Sequence, residues 1–84
     1  LWYQTGPYFA YYYSGRYQDV IDLATQTLDA MSKPILEESY YWRGMSYLAL
    51  EDSESAVADF RESLKYHQGF GPSLSMLQQL GEAP

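Results

Sequence analysis

Side-chain chemistry needs acid-base, nucleophilic or metal-binding groups at workable spacing, and this sequence holds few of them. His67 is the single histidine among 84 residues and falls at the expected C-terminal end of a helix. An imidazolium gains from the helix dipole there, so capping is the role its position suggests. Serines are plentiful, but none sits in a nucleophile elbow and no second histidine could complete a triad. The adjacent carboxylates Glu37-Glu38 and Glu51-Asp52 would point about 100° apart on a helix. Both pairs fall at helix ends or turns, which suits solvated caps. Calcium-loop spacing and phosphate-loop glycine patterns are absent, and no cysteine offers a disulfide or a thiolate ligand. These residues argue for no enzyme activity, no catalytic residue, no metal and no cofactor.

The distinctive residues are rings. Aromatic content is 18%, carried mostly by ten tyrosines. A tyrosine buries a large ring while its hydroxyl seeks a partner, so such rings suit either a helical core or a contact surface wet at one edge. Five Lys and Arg against eleven Asp and Glu give a net charge of −6, which repels a phosphate backbone and makes nucleic acid a poor partner. No run approaches the roughly 18 apolar residues of a spanning helix, so membrane insertion is not expected. The chain begins at Leu1 rather than Met, which suggests a processed product or a piece of something longer. There is no Asn for an N-linked glycan, while hydroxyl-linked decoration stays open.

What positions these rings can be read from the breakers Gly6-Pro7, Ser14-Gly15, Ser32-Lys33-Pro34, Glu51-Asp52-Ser53 and Gly69-Phe70-Gly71-Pro72. Five helices are expected between them, at about Pro7–Ser14, Tyr17–Met31, Ile35–Leu50, Ser53–His67 and Pro72–Leu80. Proline favours the first helical position, so Leu1 to Thr5 stays ambiguous. The second helix is the clearest amphipath, with Val20, Ile21, Ala24, Thr27 and Leu28 at helical spacing. The fourth should be capped by Ser53 and should expose Asp59, Arg61, Glu62 and Lys65. Gly81 should end the fifth. Period-two alternation is missing, and only Tyr11-Tyr12-Tyr13 leans toward strand.

Laid against itself, the chain places Tyr11 over Tyr47, Val20 over Ala56, Ala24 over Phe60 and Leu28 over Leu64. Leu74 falls over Tyr40 in a third, unfinished unit. Tyr40, Gly44, Tyr47, Ala56, Phe60 and Leu64 stand at the spacings of the tetratricopeptide repeat, and residues 37–70 resemble that family, with Gln68 in place of its usual terminal Pro. The first unit, about 1–36, keeps Tyr11, Gly15, Tyr17, Val20 and Leu28 but has Pro7 and Tyr8 where the family has a large aliphatic and a small residue. A terminal helix over about 71–81 follows. The resemblance implies an all-α fold of antiparallel helix-turn-helix repeats, a solenoid of about two and a half units in one domain. A second, looser resemblance joins Trp2-Tyr3-Gln4-Thr5-Gly6-Pro7 and Glu38-Ser39-Tyr40-Tyr41-Trp42-Arg43-Gly44 to repeats that follow secreted cysteine-peptidase-like domains of filamentous bacteria. It tilts the expected location toward the cell envelope or the outside.

The family resemblance implies a concave face lined by first helices, with Phe9, Tyr12, Tyr13, Tyr41, Trp42 and Met45 as its partner-binding groove, together with Trp2, Thr5, Glu38 and Ala49. The Lys, Asn and Arg with which relatives grip a terminal carboxylate are missing there. Rings in a groove suit a protein or peptide segment, or a sugar face. The same rings could instead pack on residues preceding Leu1 or on a neighbouring chain. Both solenoid ends read as apolar, through Leu1, Trp2 and Tyr3 at one and Leu74, Met76, Leu77 and Leu80 at the other, which would allow end-to-end stacking into a homo-oligomer. The expectation is a non-catalytic interaction or assembly module. Its alternatives are a subunit stacking head to tail into an extracellular filament, and an accessory region of a secreted peptidase.

Overall fold

Glycine, proline and acidic turn residues break this chain where helices end. In the computed structural model, residues 2–29 and 36–84 are described, with side chains at 8–29 and 37–84. They form five α-helices and no strand: α1 Trp2–Tyr13, α2 Tyr17–Asp29, α3 Leu36–Ala49, α4 Ser53–Tyr66 and α5 Gly71–Gln79. The expected α2 end at Met31 and α3 start at Ile35 lie outside the described residues.

One left-handed turn ends three helices. After α1, Gly15 adopts φ +78°, and the Arg16 N–H donates to the Tyr11 carbonyl at 2.8 Å. After α3, Glu51 adopts φ +66°, and the Asp52 N–H reaches the Tyr47 carbonyl at 2.8 Å. After α5, Gly81 adopts φ +73°, and the Glu82 N–H reaches the Leu77 carbonyl at 2.9 Å. Each turn satisfies carbonyls that the helix end would leave bare. Glycine meets this conformation freely, whereas Glu51 holds it against a Cβ clash.

Several expectations are corrected. Helix α1 begins at Trp2, not Pro7, because a proline there removes only one donor, and the packing of Tyr8 on α2 supports the helix. The tyrosine run is helical, tertiary packing outweighing β-propensity. Asp52, not Ser53, caps α4, its carboxylate accepting the Ser55 N–H at 3.2 Å. Leu50 falls beyond α3 and is exposed.

Helix α3 lies at the centre, packed most extensively on α4 and then on α2, with α1 on α2 and α3 and with α5 on α4. One core cluster joins Tyr8, Val20 and Ala24, and the other joins Ala56, Phe60 and Leu77. At the α3–α4 crossing, a Cβ on Gly44 would sit 2.8 Å from Phe60 Cε1 and 3.2 Å from the Ala56 carbonyl. Gly44 and Phe60 correspond in the self-alignment to Tyr8 and Ala24. The small first-helix residue faces a large second-helix one at that crossing, and at α1–α2 the sizes are exchanged, so each crossing is filled. Tyr8 completes its burial by pairing its hydroxyl with Ser39 Oγ at 2.9 Å.

Candidate partner-binding surface

The surface grows from two helices. Helix α1 carries Phe9, Tyr12 and Tyr13, and α3 carries Tyr41 and Trp42 one turn or less apart. Since α1 rests on both α2 and α3, these rings meet across the helix boundary. Trp42 lies 6.1 Å from Phe9, 5.5 Å from Tyr12, 6.3 Å from Tyr13 and 5.2 Å from Tyr41, centroid to centroid. Phe9 and Tyr13 are 4.7 Å apart. Most of these pairs are tilted or edge-on, the arrangement in which ring edges meet ring faces.

Exposure distinguishes core rings from surface rings. Phe9 is 58% exposed and Tyr13 67%, while Tyr12, Tyr41 and Trp42 are half-buried beneath them. Two aromatic residues not singled out as groove residues join the cluster. Tyr17 meets Tyr12 at 5.3 Å, and buried Phe70 meets Tyr41 at 5.9 Å. The available signal for Phe70 was a lone apolar residue inside the Gly69-Gly71-Pro72 breaker. Met45 is half-buried and, like Tyr41, packs on the Ala56, Phe60 and Leu77 cluster. Trp2 and Thr5 have side chains outside the described set, and Ala49 is exposed at the end of α3.

The paired carboxylates at the start of α3 do more than cap it. Glu38 stands one turn before Trp42 on α3, and burial pushes its carboxyl above the ordinary value, with the Trp42 indole opposing the rise and Glu37 adding to it. Glu37 Oε2 lies 3.6 Å from His67 Nδ1 and so links α3 to the end of α4. His67 caps α4 through its backbone, its N–H reaching the Ser63 carbonyl. Burial also raises the Tyr12 and Tyr41 hydroxyls, and their tyrosine neighbours push the same way. Among the described residues, no three His, Asp or Glu side chains gather as a metal site.

On another side of α3, Asp59 corrects its expected exposure. It is buried, and Arg43 grips it with two bonds of 2.8 and 2.9 Å while donating a third to Thr25 at 3.0 Å. Burial raises the Asp59 carboxyl despite this pairing, and the bonds to Asp59 raise Arg43. The guanidinium also lies over Tyr40 and Tyr47, so one side chain joins α2, α3 and α4.

The expected stacking end is only partly available. Leu77 is fully buried against Ala56 and Phe60, because α5 turns that side chain into the core rather than outward. Leu74, Met76 and Leu80 are half-buried. Leu1 lies outside the described residues, as do the side chains of Trp2 and Tyr3. Between α4 and the chain after α5 runs an open groove of about 600 Å³, lined by Val57, Ala58, Arg61 and Leu80 among others. Arg61 bonds the Ala83 carbonyl at 3.0 Å and Glu82 at 3.2 Å across one side of it. No helix among the described residues is long and apolar enough to cross a membrane.

No protein-family profile and no solved structure matches the chain. In an alignment that covers 69% of its length, the chain is 37% identical to RNA polymerase-associated protein CTR9 of Saccharomyces cerevisiae, of which the match covers 6%. The chain is therefore similar to a short stretch of a much longer protein.

Proposed function

We propose that this chain is a non-catalytic protein-interaction module of tetratricopeptide-like hairpins, and that the Phe9, Tyr12, Tyr13, Tyr41 and Trp42 surface is where a partner segment lies. The observation that supports it is the exposure of Phe9 and Tyr13 directly above half-buried Tyr12 and Trp42. Large rings held rigidly on two helices offer contact area at low entropic cost, which suits an extended or helical peptide. The yeast relative is named for association with RNA polymerase, and similarity to part of such a protein fits a role in protein assembly. It lends no support to the peptidase-associated reading.

The test is an array of random twelve-residue peptides probed with the labelled chain. Binders should appear, and Phe9→Ser with Tyr13→Ser should remove them while the melting temperature stays within a few degrees. An array without binders, or binders indifferent to both substitutions, would overturn the reading. Self-association through the α4–α5 end is a second reading, favoured by the open groove beside Leu80. Leu80→Asp should then lower the mass seen by light scattering at tens of micromolar, and a monodisperse monomer before substitution would exclude it.

A further inference from the structure

Every described lysine and arginine is already committed to a carboxylate within the chain: Arg16 to Asp19, Arg43 to Asp59, Arg61 to Glu82 and Lys65 to Glu62. Where a guanidinium lies over a ring, the ring is Tyr11, Tyr40 or Tyr47. Among the described residues, none covers Phe9, Tyr12, Tyr13, Tyr41 or Trp42. The titratable groups at these five rings are Glu38 and the tyrosine hydroxyls, all neutral or anionic, and Tyr41 feels Tyr13, Tyr12 and Glu38 together. One ring further out, His67 lies 5.4 Å from Phe70 and has Glu37 as its carboxylate neighbour at 3.6 Å. Glu38 stands one helical turn before Trp42 on the same side of α3, which puts a carboxylate beside the ring whose π electrons most favour a cation.

We propose that the ring surface with Glu38 at its edge receives the lysine or arginine side chain of a basic peptide. The inference rests on the interaction reading above and adds the chemistry of the partner. A cation entering here meets exposed ring faces and a half-buried carboxylate without displacing a described cation, and the chain's net charge of −6 draws a basic segment toward it. A proline-rich segment would use the rings but leave Glu38 without a partner.

The composition of the array binders tests this. Lys and Arg should be enriched at least threefold over the library. In titration calorimetry, a selected basic peptide should bind at least tenfold more tightly than its counterpart with Gln in place of Lys and Arg. Tyr13→Ala and Phe9→Ala, which change no charge, should each weaken it severalfold, and Glu38→Gln should weaken it more than Asp22→Asn, which removes the same charge elsewhere. Circular dichroism checks that each variant is folded. Binders rich in proline and indifferent to Glu38→Gln would overturn the cation proposal and leave the interaction reading standing. Basic peptides equally weakened by Asp22→Asn and Glu38→Gln, and untouched by the ring substitutions, would show attraction by net charge alone and overturn it too. An absence of binders overturns both.

Discussion

At the scale of single residues, half-buried Arg43 and buried Ser46 on α3 have opposite consequences. Arg43 satisfies Asp59 with two bonds and Thr25 with one. Arg43→Ala leaves a buried carboxylate unpaired, and urea unfolding should report a loss of about 3 kcal/mol. Ser46 is fully buried, and its hydroxyl has no partner among the described residues. Ser46→Ala removes a desolvated group at little change in volume, so the same measurement should show a gain of about 1 kcal/mol. Ser39 and Ser63 look identical to Ser46 in sequence, yet both are satisfied, by Tyr8 and by Ser73 with the Phe60 carbonyl. Only the crossing of elements tells these three serines apart.

At the scale of elements, the left-handed turn recurs at Gly15, Glu51 and Gly81, and one of the three lacks glycine. Glu51→Gly relieves the Cβ clash against a larger loss of chain entropy, so thermal or chemical denaturation should show a net gain of about 0.5 kcal/mol. Helix positions were legible because glycine, proline and acidic residues punctuate the chain and because Val20, Ile21, Ala24 and Leu28 keep one face. The start of α1 was not, since a local rule about Pro7 said nothing of how Tyr8 packs. The exchange of sizes between Tyr8 with Ala24 and Gly44 with Phe60 was present in the self-alignment, but it acquires meaning only when both crossings are compared. Asp59 read as exposed because helical periodicity cannot see an arginine arriving from α3. Leu77 read as a sticky end because the side of α5 that meets Phe60 depends on the turn at Phe70. The rings of the candidate surface were legible as a set because they occupy corresponding faces of α1 and α3.

For the whole molecule, charge and burial make pH a probe of the fold. Glu38 and Asp59 are both raised by burial, from ordinary values of 4.5 and 3.8. A carboxyl raised in the folded state binds more protons there than in the unfolded chain, so its stabilising contribution is full below the unfolded value and is lost as pH rises through the folded one. Acidification from neutral toward the carboxylate range should therefore raise the melting temperature, helped by relief of the −6 net charge. Glu38→Gln should flatten part of that rise. A melting temperature that falls steadily from pH 7 to 5 would contradict the assignment.

The central claim is that α1 and α3 bring their rings into one surface that contacts a partner. Nuclear magnetic resonance of the Trp42 indole during titration with an array-selected peptide tests it most directly. Contacts from the Trp42 indole to Phe9 and Tyr12 are expected in the free chain, with peptide-induced shifts centred on Trp42, Tyr13 and Phe9. An indole with no contact to α1, or shifts gathered on α2 and the outer face of α4 while Trp42 stays still, would contradict it.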